Sequence, residues 1–319
     1  MRPFLLAFLR RDPHEVEKQA QRFRIGTGEG REMVARLGAA FIGGYHAMLA
    51  ARSPRDVAEE GTRVPEHYRP FFFEGAAMGY LPRGYLSRGF GPHTAERDLM
   101  AMHPRFRYLY YVGLGFWYGF RHRGRPAKVL DLAPHLDPMY FPLCYDGFGF
   151  KVGFFDYPQR PSARHVLGDC PAEHRAFIFQ GFGRALFFVH MHDEAGFEKE
   201  KDGTPEHRDD IEFGRSLALA FTGVDHPQLL VRHIAAARDE SDLAARLLGV
   251  TWALTAREMN DPAYFANCID RASADGRKLL RRLPQLCREA LDRSRTYPEW
   301  QHGTRKSVLG VYPTAPEAR

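Results

Sequence analysis

Apolar residues recur at helical spacing along most of the chain, in stretches such as Phe177-Ile-Phe-Gln-Gly-Phe-Gly-Arg-Ala-Leu-Phe-Phe-Val189. A glycine followed two residues later by a mostly small residue punctuates each stretch. The segments are Ile42-Gly-Gly-Tyr45, Glu74-Gly-Ala-Ala77, Val112-Gly-Leu-Gly115, Asp146-Gly-Phe-Gly149, Gln180-Gly-Phe-Gly183, Phe213-Gly-Arg-Ser216 and Leu248-Gly-Val-Thr251. Their first glycines are separated by 32, 38, 34, 34, 33 and 35 residues. Pro65, Pro104, Pro138, Pro171 and Pro205 each precede one of them by nine or ten residues. Proline suits the first turn of a helix, where its missing N–H has no partner to lose. Cap formers stand close by: Asp137, Thr204, and Ser241 at the start of the seventh segment. Each unit therefore predicts one helix of about five turns with a glycine step near its middle. Short strands broken by glycine are the competing reading. A fixed period of this size is the signature of a repeat. The predicted fold is mainly α, a solenoid- or toroid-like helical repeat of about seven units of roughly 34 residues. It forms a single domain over residues 1–296, and 297–319, rich in turn formers and basic residues, is a C-terminal tail whose order is left open.

Glycine inside a helix costs about 1 kcal/mol relative to alanine. Repeating that cost implies a compensating contact, most simply the close approach of another backbone or a ligand. The residue before each glycine and the residue four positions on share a helix face. That face carries Glu74/Met78, Val112/Phe116, Asp146/Phe150, Gln180/Arg184, Phe213/Leu217 and Leu248/Trp252. Stacked in equivalent orientation, these positions would line a common groove or cavity, apolar and aromatic with a few polar groups. Such a lining suits a long hydrophobic ligand. The candidate catalytic residues are Asp146 as general acid and Glu74 as second carboxylate, with Gln180 and Arg184 orienting the acid. Phe116, Phe150, Trp252 and Met78 would line the substrate, the aromatic rings facing cationic charge. Against this stands a structural role, in which Glu74, Asp146 and Gln180 satisfy backbone groups or pair with Arg184.

Composition narrows the classes. With 44% hydrophobic residues the chain buries a substantial core. Its net charge of +6 is spread among interspersed acids, which argues against a nucleic-acid footprint. The longest apolar stretch, Tyr108 to Phe120, is short of the roughly 20 residues of a membrane span and leaves room only for peripheral membrane contact. The run from Phe4 to Leu9 meets Arg10-Arg11-Asp12 and lacks a signal cleavage site. Cys144, Cys170, Cys268 and Cys287 are far apart, as expected of reduced, buried thiols in a cytoplasm. His190-Met-His192-Asp193 reads as a solvated helix end, and Arg208-Asp209-Asp210-Ile-Glu212 as the charged start of a helix. No metal or cofactor is expected: aspartate-rich, phosphate-loop, nucleophile-elbow and dinucleotide motifs are missing from the sequence.

Taken in order, several segments resemble a bacterial family catalogued as domain of unknown function 1702. They are Phe73-Glu74-Gly75-Ala76-Ala77-Met78-Gly79, Tyr111 to Trp117, Leu136-Asp137-Pro138, Asp146 to Phe150, Gln180 to Leu186, and Arg208-x-Asp210. The set runs roughly from Phe8 to Met259. The chain departs at Glu212 and Ser216, where the resemblance leads one to expect tryptophan and glycine. The resemblance implies bacterial specialised metabolism, notably enediyne polyketide clusters, and the cyclisation of isoprenoid chains without aspartate-rich motifs. The expected function is thus an enzyme of the cyclase or isomerase type, without a redox cofactor, acting on a long hydrophobic polyene such as a squalene-like isoprenoid or a polyketide. The alternative is a non-catalytic helical-repeat protein that binds a polyketide intermediate or a partner enzyme. An enzyme requires carboxylates facing a closed apolar interior, whereas the accessory reading predicts them turned outward. Oligomeric state is left open.

Overall fold

A computed structural model describes residues 12, 18, 28–87, 89–191 and 193–312. The apolar run at 4–9, His192 and positions 313–319 lie outside the described residues. Among the described residues the chain is mainly α-helical and carries no strand. The α-helices are α1 Glu29–Ala50, α2 Pro54–Gly61, α3 Arg69–Gly84, α4 Pro92–Met102, α5 Arg107–Arg121, α6 Leu143–Lys151, α7 His165–Gly168 and α8 Arg175–Val189. They continue with α9 Glu194–Asp202, α10 Arg208–Thr222, α11 Pro227–Ala235, α12 Glu240–Asn260, α13 Pro262–Ile269, α14 Ala274–Leu291 and α15 Tyr297–Leu309. Two compact units result, one up to Glu200 and one from Lys201. Helix α1 over Gly30–Ala50 is long and apolar enough to cross a membrane by length and composition, and half of that stretch is buried inside the protein.

Three of the five prolines open their units in a different way from the one expected. Pro104–Phe106 and Pro205–His207 are 3-10 turns, and Ala172–His174 is another directly after Pro171. Proline pre-sets the φ of such a turn, and the α-helix begins only after it. The helices α5, α8 and α10 consequently have 15 residues each, nearer four turns than five. Asp137 does cap locally, its Oδ1 accepting the Met139 N–H at 2.9 Å. The cap of α12 is Asp239, which accepts the Asp242 N–H at 2.8 Å, two residues before Ser241.

The glycines are explained by backbone contact. A Cβ at Gly75 of α3 would overlap the Phe41 carbonyl oxygen of α1, and one at Gly113 of α5 that of Glu74. Likewise Gly147 of α6 lies on the Val112 oxygen, Gly181 of α8 on that of Asp146, and Gly249 of α12 on that of Phe213. Three junctions return the contact: Gly44 lies on the Phe72 oxygen, Gly115 on that of Cys144, and Gly149 on that of Ile178. At the other two the returning position is Ala77 or Ser216, and its Cβ would stand 2.8 Å from a Cβ at Gly113 or Gly249. One helix backbone thus rests on the next at each place, close enough for Cα–H···O contact. In α1 the contacting residue is Gly44 and not Gly43, which has nothing within 4 Å. The first segment is therefore shifted by one residue from the register read off the sequence, and its partner to Val112 and Asp146 is Phe41.

In the first unit α1, α3, α5, α6 and α8 pack in succession. In the second, α10 packs on α12, and α12 on α14 and α15. Tyr297–Leu309, whose order the sequence leaves open, form α15, capped by Thr296, with Tyr297 and Trp300 fully buried. The Trp252 indole N–H donates to Tyr297 Oη at 2.7 Å, and that of Trp300 to the Cys287 carbonyl at 2.9 Å. These aromatic residues give the helix an apolar side to bury, which outweighs its turn-rich flanks.

Candidate functional site

In the first unit the shared helix face comes together around Arg184. From α8 its Nη1 donates to Asp146 Oδ1 of α6, and its Nη2 lies 3.6 Å from Glu74 Oε1 of α3. Three junctions separate α3 from α8 along the packing order, about 25 Å in a flat row of helices 8–10 Å apart. An Arg–Glu pair cannot bridge that span, so the row curves and the shared face is concave.

The polar cluster is enclosed. Glu74 is 4% exposed, Asp146 3% and Gln180 5%. Burial pushes the Glu74 carboxyl up to about 7; Arg184 opposes this, and the neighbouring Asp146 charge adds to it. Burial also raises Asp146, against the Arg184 attraction and hydrogen bond. Burial alone would lower the Arg184 guanidinium, but the two carboxylates hold it above its ordinary value. Two carboxylates and one guanidinium carry a net negative charge unless one proton stays on the pair. In a dry site the neutral state, with that proton retained, is the less costly one.

Aromatic rings adjoin the cluster. The Arg184 guanidinium lies 5.1 Å over the Phe150 ring. Phe150 is 5.5 Å from Phe116, which also meets Phe41 at 5.2 Å, Phe120 at 5.6 Å and Phe155 at 6.0 Å. Phe116 is buried, whereas Phe41, Phe120, Phe150 and Phe155 are half-buried and keep part of each ring accessible. Met78 is buried on α3, four residues from Glu74. Gln180 occupies on α8 the place that Asp146 holds on α6. Trp252 belongs to the second unit, beside Tyr297, Trp300 and Phe213. The first-unit cluster of Glu74, Asp146, Arg184, Phe116 and Phe150 was foreseen from the helical spacing; Phe41, Phe120 and Phe155 were not.

The second unit buries a denser charge network where the chain departs from the pattern expected of its family resemblance. Glu212 accepts from Lys201 Nζ at 2.7 Å and lies 3.4 Å from Arg246 Nε, and Arg246 Nη2 is 3.1 Å from Asp242. Ser216 Oγ and His233 Nε2 share a hydrogen bond of 2.7 Å. Burial, with Arg246 and Arg215 nearby, lowers His233 to about 3, so its ring is neutral. Ser216 is fully buried, and the Glu212 carboxylate stands on the same ring nitrogen as the hydroxyl, 3.9 Å away. A hydrolytic triad needs the acid on the opposite nitrogen, which this arrangement does not supply, and the network ties Lys201 to α10, α11 and α12. Asp209 and Asp210 lie in the first turn of α10, Asp209 accepting from Ser241 Oγ and Asp210 paired with His207 at 2.9 Å. His190 lies 3.7 Å from Asp193. No group of three or more metal-ligating side chains occurs among the described residues.

No curated protein and no solved structure matches the chain. Residues 4–268 match the family profile described as Protein of unknown function (DUF1702), and the chain belongs to that family.

Proposed function

We propose that the protein is an enzyme that protonates a long hydrophobic polyene, such as a squalene-like isoprenoid or a polyketide chain, and guides its cyclisation on the aromatic face of the first unit. The observation that carries this reading is the buried Glu74–Asp146–Arg184 cluster beside Phe150 and Phe116. We assign the proton to Glu74, revising the sequence expectation that Asp146 is the acid. Arg184 bonds Asp146 directly and stands 3.6 Å from Glu74, so Asp146 is the anchored carboxylate and Glu74 the looser one. In the reaction the Glu74 O–H bond breaks and its proton forms a C–H bond with an alkene carbon. The new carboxylate is left facing Arg184, which stabilises it as it forms. The tertiary cation is attacked by the next double bond, forming a C–C bond, and ends by losing a proton to give an alkene. Phe116 and Phe150 face the migrating charge, worth about 0.5–2 kcal/mol per ring.

The same reading takes the chain as a helical repeat, solenoid- or toroid-like, of about seven units of roughly 34 residues. The glycine-on-carbonyl contact found at five junctions supports it. The four buried thiols are in keeping with a cytoplasmic protein of bacterial specialised metabolism. The test is incubation of the purified protein with linear polyenes of isoprenoid and polyketide type, with products separated by mass. Cyclised product from the wild type and none from a folded Glu74→Gln variant is expected. Unchanged turnover in that variant removes Glu74 from the mechanism, and binding of the polyenes without conversion favours the accessory role.

A further inference from the structure

The aromatic face carries a second buried ion pair. Phe116 touches both Phe150 and Phe120; Arg184 lies over the first ring and Lys151 over the second, its Nζ 5.1 Å from the Phe120 centroid. Lys151 is 1% exposed, and its Nζ bonds Asp156 Oδ1 at 2.8 Å and Oδ2 at 2.6 Å. The two residues are five apart, a spacing that an α-helix turns to about 140° from one another. They meet because Val152–Asp156 is a π-turn, closed by the Tyr157 N–H donating to the Val152 carbonyl at 2.8 Å. Such turns are rare and cluster at functional sites.

Neighbouring glycines accommodate the pair. A Cβ at Gly119 would sit 3.0–3.2 Å from the Lys151 Cβ, Cγ and Cδ, so its absence leaves the channel along which the lysine stem reaches Phe120. A Cβ at Gly153 would lie 2.6 Å from Ala185 Cβ, which seats the π-turn against α8. A purely structural pair could be replaced by packed apolar side chains at no loss, because burying an ammonium costs several kcal/mol. One feature separates it from the enclosed Lys201–Glu212 pair of the second unit. The Asp156 side chain is 27% exposed, so it touches water while its partner is sealed beside the rings.

We infer that Asp156, held by Lys151 on the π-turn, is the proton acceptor at which the cation on the aromatic face is quenched. The inference rests on the proposed protonation of a polyene by Glu74. The electron pair of a C–H bond next to the cationic carbon becomes the new C=C bond, and the proton passes to an Asp156 carboxylate oxygen. The C–H bond beside a carbocation is acidic enough for any carboxylate to remove its proton. Contact with solvent then lets Asp156 release the proton to water, and Glu74 takes up one proton from solvent once product has left the face; substrate and product are isomers, with no redox change. Lys151 acts through Asp156 and is a positioning residue.

The test uses binding of two probes by the full chain, N,N-dimethylfarnesylamine, cationic at neutral pH, and the uncharged farnesyl methyl ether. Asp156→Asn is expected to weaken the amine about fivefold to tenfold, the effect of one half-exposed charge pair, and to leave the ether unchanged. Asp156→Glu should restore amine binding. Equal weakening of both probes, or no weakening of the amine, overturns the assignment of Asp156 while leaving the Glu74 reading intact. Failure of the wild type to bind either probe overturns the polyene reading and this inference with it.

Discussion

Replacing Glu74 by glutamine keeps the shape of the side chain and removes its proton equilibrium. Arg184 then faces Asp146 alone, a neutral pair. In the folded protein the Glu74 carboxyl is raised from 4.5 to about 7 by burial, against Arg184 and with help from Asp146. At about 1.4 kcal/mol for each tenfold change in proton affinity, that corresponds to an upper bound of about 3.5 kcal/mol. Because the folded pKa is the higher one, the folded state holds a proton that the unfolded chain releases. The contribution is fully present below the unfolded value and is lost as pH rises through about 7. Urea unfolding of the wild type and Glu74→Gln at about pH 5 and about pH 8 isolates it. The wild type is expected to lose up to about 3 kcal/mol relative to the variant between these conditions. A difference that does not change with pH, or that grows in favour of the wild type, refutes the shared proton.

Gly44→Ala is expected to destabilise by about 1–3 kcal/mol or more, because its Cβ meets the Phe72 carbonyl. Gly43→Ala, with open space around it, should stabilise by up to about 1 kcal/mol through helix propensity, both changes being read as shifts in urea midpoint. The four cysteines are buried and burial raises their thiols, Cys170 and Cys287 to about 12, so a disulfide exchange reagent should titrate none in the native protein and four after unfolding. Trp300→Ala should cost about 3–5 kcal/mol, since the ring is fully buried against Trp252; a loss near zero would return α15 to the status of a tail.

Much of the helical order was legible because helix spacing and glycine costs act locally. The residues before and after each glycine step share a face whatever the tertiary arrangement, so Glu74, Asp146, Arg184, Phe116 and Phe150 could be grouped in advance. The one-residue shift in α1 was not legible, since Gly43 and Gly44 are adjacent and only contact with Phe72 distinguishes them. The pairing of Lys151 with Asp156 is not legible in the sequence, because five residues is not a helical spacing and only the π-turn brings them together. The tail reading of 297–319 followed composition, but the burial that orders α15 comes from Trp252 and Cys287, distant in sequence. The location of the proton depends on comparing the Arg184 contacts to Asp146 and Glu74, which spacing alone does not give.

Turnover of a squalene-like polyene in deuterated water tests the central claim most directly. The wild type is expected to give a cyclised isomer carrying one solvent-derived deuterium at the protonated carbon, and folded Glu74→Gln is expected to give none. Cyclised product without deuterium, or undiminished product from Glu74→Gln, would contradict proton-initiated chemistry at this site.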